Sequence, residues 1–365
     1  LKAIILAGGT GTRLRPLSCS RPKLLFPVLN KPLLDLTLER LSTTGVDEVI
    51  LAVKYMAEVF MKRYGDSKYG IKISYSLEKK PMRTGGAIKY AEELIGSREA
   101  FLVLNGDIFT TIDYTALINQ HNNQNNAVAT IAIYRVEDPS RYGTVKLSKE
   151  DRITQFVEKA PPEKAPSNLI NAGVYMLDPE IFKYIPAGRP VSIEHEVFPK
   201  LAKEKKLKGY EFKKIWVDIG KPVDYLKANK LLLDAEQKRR FLIRKTCMGE
   251  RAEFSDPVMV DEGVSVGQNA KLGPYAIIGR GVILGRNVIL ANSVVFPEAI
   301  IADNASVRGA IIGEGAKIGQ GAVISEGCVI GDYVTIKDRI TLSRDVTVCH
   351  FKEVEENVPE FTRII

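Results

Sequence analysis

Leu6-Ala7-Gly8-Gly9-Thr10-Gly11-Thr12-Arg13-Leu14-Arg15-Pro16, followed by Arg21-Pro22-Lys23, is the stretch from which the remainder of the chain can be read. The apolar run at residues 3–7 predicts a buried strand that stops abruptly at Gly8. Glycines at such a point let the backbone turn sharply and bring N–H groups against anionic oxygens. Arg13 adds a fork of donors able to span two phosphate oxygens, and Lys23 a mobile point charge. The spacing matches neither G-x-x-x-x-G-K-[ST] nor G-x-G-x-x-G, so those two phosphate-binding folds do not apply.

Working outward, further β-rich runs occupy residues 48–53, 71–77 and 101–104, and helical spacing of apolar residues occupies 32–43 and 86–94. Strand–helix–strand alternation predicts an α/β domain with a Rossmann-like, mixed but mainly parallel sheet covered by helices. Ligands of such sheets bind beyond the carboxyl ends of the strands. The loops after Ala7, Leu77 and Leu104 are therefore the expected site.

A helical stretch at 223–245, basic in its last third, closes this region, and the texture then changes. Ile278-Gly279, Leu284-Gly285, Ile312-Gly313, Ile318-Gly319 and Ile330-Gly331 fall on a six-residue spacing with phase breaks between blocks. Aliphatic residues that stack inward, each followed by a turn former, predict a left-handed parallel β-helix of hexapeptide repeats. A single short coil cannot bury its own apolar face, so such a domain is held together by the stacking of neighbours. The expected organisation is a first domain at 1–235, a helical, basic linker at 236–255, and the β-helix with a tail at 256–365.

The opening string resembles the signature G-G-x-G-T-R-L-x-P…P-K of the sugar-nucleotide nucleotidyltransferases. Asn105-Gly106-Asp107, Phe156-Val157-Glu158-Lys159, Asn171-Ala172-Gly173 and Trp216-Val217-Asp218-Ile219-Gly220 follow in the order that family shows. With a hexapeptide β-helix behind them and the ending Glu356-Asn357-Val358-Pro359…Ile364-Ile365, the chain is most similar to the mannose-1-phosphate guanylyltransferase branch. The resemblance implies that a sugar 1-phosphate and a nucleoside triphosphate, for this branch mannose 1-phosphate and GTP, become an NDP-sugar and pyrophosphate. It implies catalytic roles for Arg13 and Lys23, and nucleotide binding by Ala7, Gly8, Gly9, Gly11, Thr12, Glu78 and Gly85. Gly143, Glu158, Lys159 and Asn171 would hold the sugar phosphate, and Asp107 and Asp218 a Mg²⁺ cofactor. Two motifs depart from the family. P-L-G-T-[AG]-G reads Pro81-Met82-Arg83-Thr84-Gly85-Gly86, and E-K-P reads Glu158-Lys159-Ala160-Pro161.

The residues also have plainer readings. Asp107 and Asp218 taken alone are turn carboxylates, but both follow β-rich segments, and Mg²⁺ favours one or two carboxylates plus substrate phosphates. Glu78 is either a glutamate balanced by Lys79 and Lys80 or an acceptor for the N1–H and exocyclic amine of guanine. Trp216 reads as packing. Two rival functions stand beside the first: acyl transfer by the β-helix, and a non-catalytic sugar-nucleotide sensor. Acyl transfer would want a histidine base in the coils, and His121, His195 and His350 lie outside the repeat as read, His350 beyond the last coil. A sensor would not need Arg13, Lys23, Asp107 and Asp218 together. Glucose 1-phosphate with another base remains the alternative within the family.

The net charge of +8 permits polyanionic ligands, yet runs such as Lys203 to Lys208 and Lys238 to Lys245 lack the interleaved aromatics of a nucleic-acid surface. No apolar run approaches the ~20 residues of a membrane helix, and residues 3–7 are too short for a signal-peptide core. Four dispersed cysteines and three histidines give no structural zinc spacing. The expectation is a cytoplasmic enzyme of small-molecule substrates, with no nucleic-acid or membrane partner, assembling as a homo-oligomer through the β-helix.

Overall fold

The computed structural model describes residues 1–96, 98–123, 126–235, 242–243 and 247–365. Its contacts divide the chain into two compact units, Leu1–Gly9 with Leu34–Asp218, and Thr10–Leu33 with Ile219–Ile365. The division does not follow chain order, because the segment carrying Arg13 and Lys23 clusters with the C-terminal residues.

The first unit is built on a ten-stranded sheet. Lys2–Leu6 lies between Glu48–Val53 and Phe101–Asn105 and is parallel to both, and Ile71–Leu77 is parallel to Glu48–Val53. Ala3, Ile4, Val49, Ile50, Leu51, Leu102 and Val103 are fully buried, as expected for central strands covered on both faces. The other half of the sheet is mostly antiparallel. Leu169–Leu177 pairs in that sense with Phe101–Asn105 and with Ala129–Arg135, and Gly143–Leu147 pairs with Ile153–Glu158. The sheet is therefore mixed, and outside its N-terminal half parallel pairing recurs where Leu207–Glu211 runs beside Ala129–Arg135.

The helix expected at 32–43 runs Leu33–Leu41, and the one at 86–94 starts earlier, as Arg83–Tyr90 followed by a turn at Glu92–Ile95. Arg83, where the family pattern has glycine, opens its helix at φ 57. A side chain in that left-handed conformation costs roughly 1–2 kcal/mol, which a glycine avoids.

In the second unit every strand from Val258–Val260 onward pairs in parallel with the strand one coil away, and three such sheets run side by side. One ladder stacks Val260, Ile278, Val295, Ile312, Ile330 and Val348, and another Val266, Leu284, Ile301, Ile318, Ile336 and Val354. All of these side chains are buried in one apolar column. Each contributes about 1.5–3 kcal/mol by leaving water, and only through its neighbours above and below. The arrangement is consistent with the expected left-handed β-helix.

Its limits differ from the reading of the sequence. The ladder already includes Leu242–Ile243, Cys247–Met248 and Glu253–Phe254, inside the stretch read as a helical linker. At the other end it continues through Thr347–Val348 to Arg363–Ile364, so His350 lies within a coil rather than beyond the last one. These outer coils lack the aliphatic–glycine pairs, yet their backbones pair as the inner ones do. The helix expected at 223–245 is Pro222–Ala235. Apart from Leu242–Ile243, the basic run from Lys238 to Lys245 lies outside the described residues.

Candidate active site

In the first unit the parallel strands deliver their loops to one end of the sheet. The Ala7 N–H donates to Ala52 O at 2.8 Å, the Gly106 N–H to Leu6 O at 3.1 Å, and the Glu78 N–H to Val53 O at 3.0 Å. Gly8, Glu78 and Asn105-Gly106-Asp107 are thereby neighbours through the backbone ladder. A side chain at position 8 would place its Cβ 3.4 Å from Glu78 Oε1, so the carboxylate lies over Gly8. Its other oxygen accepts from the Met82 N–H at 3.0 Å. Burial pushes the Glu78 carboxyl above its ordinary value, and the Met82 N–H and the Lys54 charge offset only part of that. A half-buried acceptor short of donors suits a ligand edge that brings N–H groups.

Asp107 and Asp218 are brought together by a separate two-stranded ladder. Ile108–Thr110 pairs antiparallel with Trp216–Asp218, with Ile108 opposite Asp218, so the residue preceding Ile108 is placed beside Asp218. The packing of Trp216 secures this ladder. Its Nε1–H donates to Ala172 O at 2.8 Å, and its ring stacks on Tyr134 at 5.5 Å and meets Tyr142 edge-on at 5.3 Å. Arg141 Nη2, which the motif reading missed, stands 3.9 Å from Asp218 Oδ2. No group of three or more acidic, histidine or cysteine side chains forms a metal cage among the described residues. Asp107 and Asp218, hard oxygen donors at neighbouring backbone positions, are residues of the kind that suits Mg²⁺ completing its shell with phosphate and water.

The sugar-side candidates form a second cluster. Gly143 is in register with Glu158, and a Cβ at 143 would lie 2.5 Å from Glu158 Oε2 and 2.8 Å from Phe156 Cζ. Only glycine leaves the Glu158 carboxylate where it is. Burial first, then the nearby Glu194 charge, raises the pKa of Glu158, while Lys159 and His195 pull it down. Lys159 is exposed, its Nζ 3.5 Å from Glu158 Oε1. Asn171 Nδ2 donates to Tyr175 Oη at 3.0 Å and its Oδ1 accepts the Gly173 N–H at 3.0 Å, across an irregularity between Asn171 and Tyr175 in the strand pairing. Such irregularities re-aim side chains.

Several polar groups here were invisible to motif reading. Thr84 and Ser192 both donate to Glu194 Oε2, at 2.6 and 2.7 Å, and the Ile193 N–H donates to Thr84 Oγ1 at 3.0 Å. Asn105 Oδ1 is buried without a hydrogen-bond partner among the described residues, and Asn105 Nδ2 reaches Tyr175 Oη at 3.5 Å. Glu194 stands in Val191-Ser192-Ile193-Glu194-His195-Glu196, a stretch with no motif that singles it out. Gly85, assigned to the nucleotide, is buried in its helix, where a Cβ would meet Val191 Cγ1 at 3.1 Å and the Ile193 N at 3.2 Å. Close helix packing is what the structure shows for it.

Arg13 and Lys23 belong to the second unit. Gly11 takes φ 61, its carbonyl accepts from Ser18 Oγ at 2.7 Å, and the short 3₁₀ turn Thr12–Leu14 follows with Arg13 exposed. Lys23 is 8% exposed and opens a second such turn, Lys23–Leu25.

Residues 2–235 match the family model described as nucleotidyl transferase, and residues 254–365 the one described as GMPPB C-terminal domain. The chain is similar to "Probable mannose-1-phosphate guanylyltransferase 1" of Oryza sativa subsp. japonica, 41% identical over 245 residues, 66% of each chain. The match thus spans just under two thirds of that relative. It is also similar to "Mannose-1-phosphate guanylyltransferase catalytic subunit beta" of Danio rerio, 43% identical over 230 residues, 62% of this chain and 63% of that one. Among solved structures, HddC from Yersinia pseudotuberculosis complexed with GMP-PN superposes with a TM-score of 0.53 at 30% identity, covering 63% of this chain and 99% of that one.

Proposed function

The chain belongs to the nucleotidyl transferase family, and from that premise we propose that it joins GTP and mannose 1-phosphate to give GDP-mannose and pyrophosphate. The observation that carries this reading is the gathering, at one end of the first unit's sheet, of a glycine turn under Glu78 and of Asp107 beside Asp218. The names of the rice and zebrafish relatives and the GMP-PN complex of HddC support the choice of base and sugar.

In the proposed reaction a phosphate oxygen of the sugar 1-phosphate attacks the α-phosphorus. The bond from that phosphorus to the β-phosphate oxygen breaks, and pyrophosphate leaves. Such a displacement requires alignment and charge neutralisation more than a nucleophilic side chain. Asp107 and Asp218 would hold Mg²⁺, which when bound supplies positive charge to the phosphates. Arg13 neutralises the departing pyrophosphate and Lys23 the α-phosphate. Lys159 grips the sugar phosphate, and Glu158, for which Gly143 leaves room, and Asn171 accept from and donate to sugar hydroxyls. Glu78 selects guanine, since uracil and thymine would oppose it with acceptor oxygens.

A pyrophosphate-release assay with Mg²⁺, crossing five nucleoside triphosphates with mannose, glucose and N-acetylglucosamine 1-phosphates, tests the proposal. GTP with mannose 1-phosphate is expected to be fastest, and a faster second pair would overturn the assignment of base or sugar. Asp107→Asn is expected to abolish turnover in a folded chain, checked by circular dichroism; near-normal rates would remove Asp107 from the metal site. The same reading takes the enzyme to be cytoplasmic and a homo-oligomer through its β-helix, which exposes Phe351 and Phe361. Sedimentation as a monomer would contradict the latter.

A further inference from the structure

Asp332 sits in a β-helix coil directly after Ile330-Gly331, and its side chain is 2% exposed. Its Oδ2 accepts from Arg21 Nη2 at 2.7 Å and from Ser20 Oγ at 2.5 Å, and its Oδ1 from the Glu314 N–H at 2.8 Å. The Asp332 N–H donates to His350 Nδ1 in the next coil at 2.9 Å. Glu314 closes the group, because its Oε2 accepts from the same Arg21 nitrogen at 2.8 Å. A Cβ at Gly313 would lie 2.7 Å from Asp332 Oδ1, so the coil is glycine where the carboxylate folds in. Arg21 also lies over the Phe296 ring, 5.1 Å from its centroid.

This cluster fixes the chain two residues before Lys23. A second set of contacts fixes it just after. Phe26 is fully buried between Tyr225 and Phe296, with ring centroids 5.9 and 6.3 Å away. The Tyr225 hydroxyl donates to Pro27 O, the Leu29 N–H donates to Asn229 Oδ1 at 3.0 Å, and Asn30 Nδ2 donates to Ile278 O at 2.9 Å. The turn Lys23–Leu25 is thus tied down on both sides by one unit.

The aromatic contacts alone would suffice to attach the segment. A buried ion pair adds little net stability, since desolvation offsets most of its attraction, and its best-supported use is to impose one geometry. Arg21, with its Nη2 held by two carboxylates and its guanidinium over the Phe296 ring, is confined in orientation, and with it the direction in which Pro22 and Lys23 leave.

We propose that Asp332, acting with Glu314 through Arg21, is a positioning residue for nucleotidyl transfer: the β-helix coil sets where Lys23 stands. The inference rests on the function proposed above. It gives the second domain a part in the chemistry although none of its coil residues need touch a substrate.

The test uses the full chain and four variants, Asp332→Asn, Glu314→Gln, Lys23→Met, and Lys23→Met with Asp332→Asn, assayed for pyrophosphate release and melted in parallel. Asparagine at 332 must turn its amide N–H either toward the Arg21 and Ser20 donors or toward the Glu314 N–H, so that one side of the carboxylate's contacts is lost. Asp332→Asn is expected to lower kcat about tenfold or more while the KM for GTP changes little, the signature of a contact used in the transition state. In the Lys23→Met background the same change is expected to cost nothing further, because both act through one side chain. Losses that multiply, or an Asp332→Asn enzyme that melts earlier but keeps its kcat, overturn the proposal. Should Asp332→Asn not fold, Glu314→Gln, whose carboxylate is one third exposed, is expected to show a smaller kcat loss, and an unchanged kcat there overturns it equally. A wild-type chain that turns over no pair of substrates would remove the functional reading and the positioning role with it, whereas active wild type with indifferent variants removes the positioning role alone.

Discussion

Glu78 lies over Gly8 with one oxygen bound to the Met82 N–H and the other facing the glycine turn. A hydrogen-bonded pair to a charged acceptor is worth about 1.5–3 kcal/mol. Glu78→Gln is therefore expected to reduce kcat/KM for GTP tenfold or more while that for ATP falls little, which competition assays between the two nucleotides would reveal. Arg83 is a different case, a residue at odds with its own backbone. With φ at 57, relief of roughly 1–2 kcal/mol outweighs the ~0.5–1 kcal/mol that glycine loses in entropy. Arg83→Gly should raise the thermal midpoint modestly, and a lower midpoint would show that the guanidinium makes a compensating contact.

At the scale of elements, the antiparallel pair Gly143–Leu147 with Ile153–Glu158 shows how register makes room for the carboxylate of the proposed sugar subsite. Glu158 can reach its place only because the residue opposite has no side chain. Gly143→Ala would drive a methyl group against Glu158 Oε2 and the Phe156 ring. Overpacking of this kind costs about 1–3 kcal/mol. The KM for the sugar 1-phosphate is expected to rise several-fold at unchanged KM for GTP, together with a lower melting midpoint. The β-helix is the converse, an element whose ends the sequence understated. Aliphatic–glycine pairs marked the inner coils, but Leu242–Ile243 and Arg363–Ile364 join the same ladder without them, since backbone pairing in parallel sheets tolerates many side chains at the rim.

For the whole molecule, the division into units matters more than the order of domains along the chain. Residues Thr10–Leu33 cluster with the β-helix unit, so the first 235 residues do not hold all the partners of their own loop. A fragment ending at Ala235 would expose Phe26 and leave Arg21 without Asp332 and Glu314. It is expected to lose turnover even where it stays soluble, and an active fragment in the pyrophosphate assay would contradict this. What was legible beforehand were local matters: strands ending in glycine, the six-residue stack, the aspartates after β-rich runs, and Glu78 near the first turn. Short-range chemistry dictates those, because glycine conformations, side-chain periodicity and charge act over a few residues. The folded chain was needed for the rest. Pairing of Ile108 with Asp218 puts the two aspartates on neighbouring positions, Thr84 and Ser192 converge on Glu194, and a buried Asp332, 312 residues from Ser20, takes hold of the segment between Gly8 and Lys23. Such partners are chosen by register and by the requirement that buried polar groups be satisfied, and neither has a signature in linear spacing.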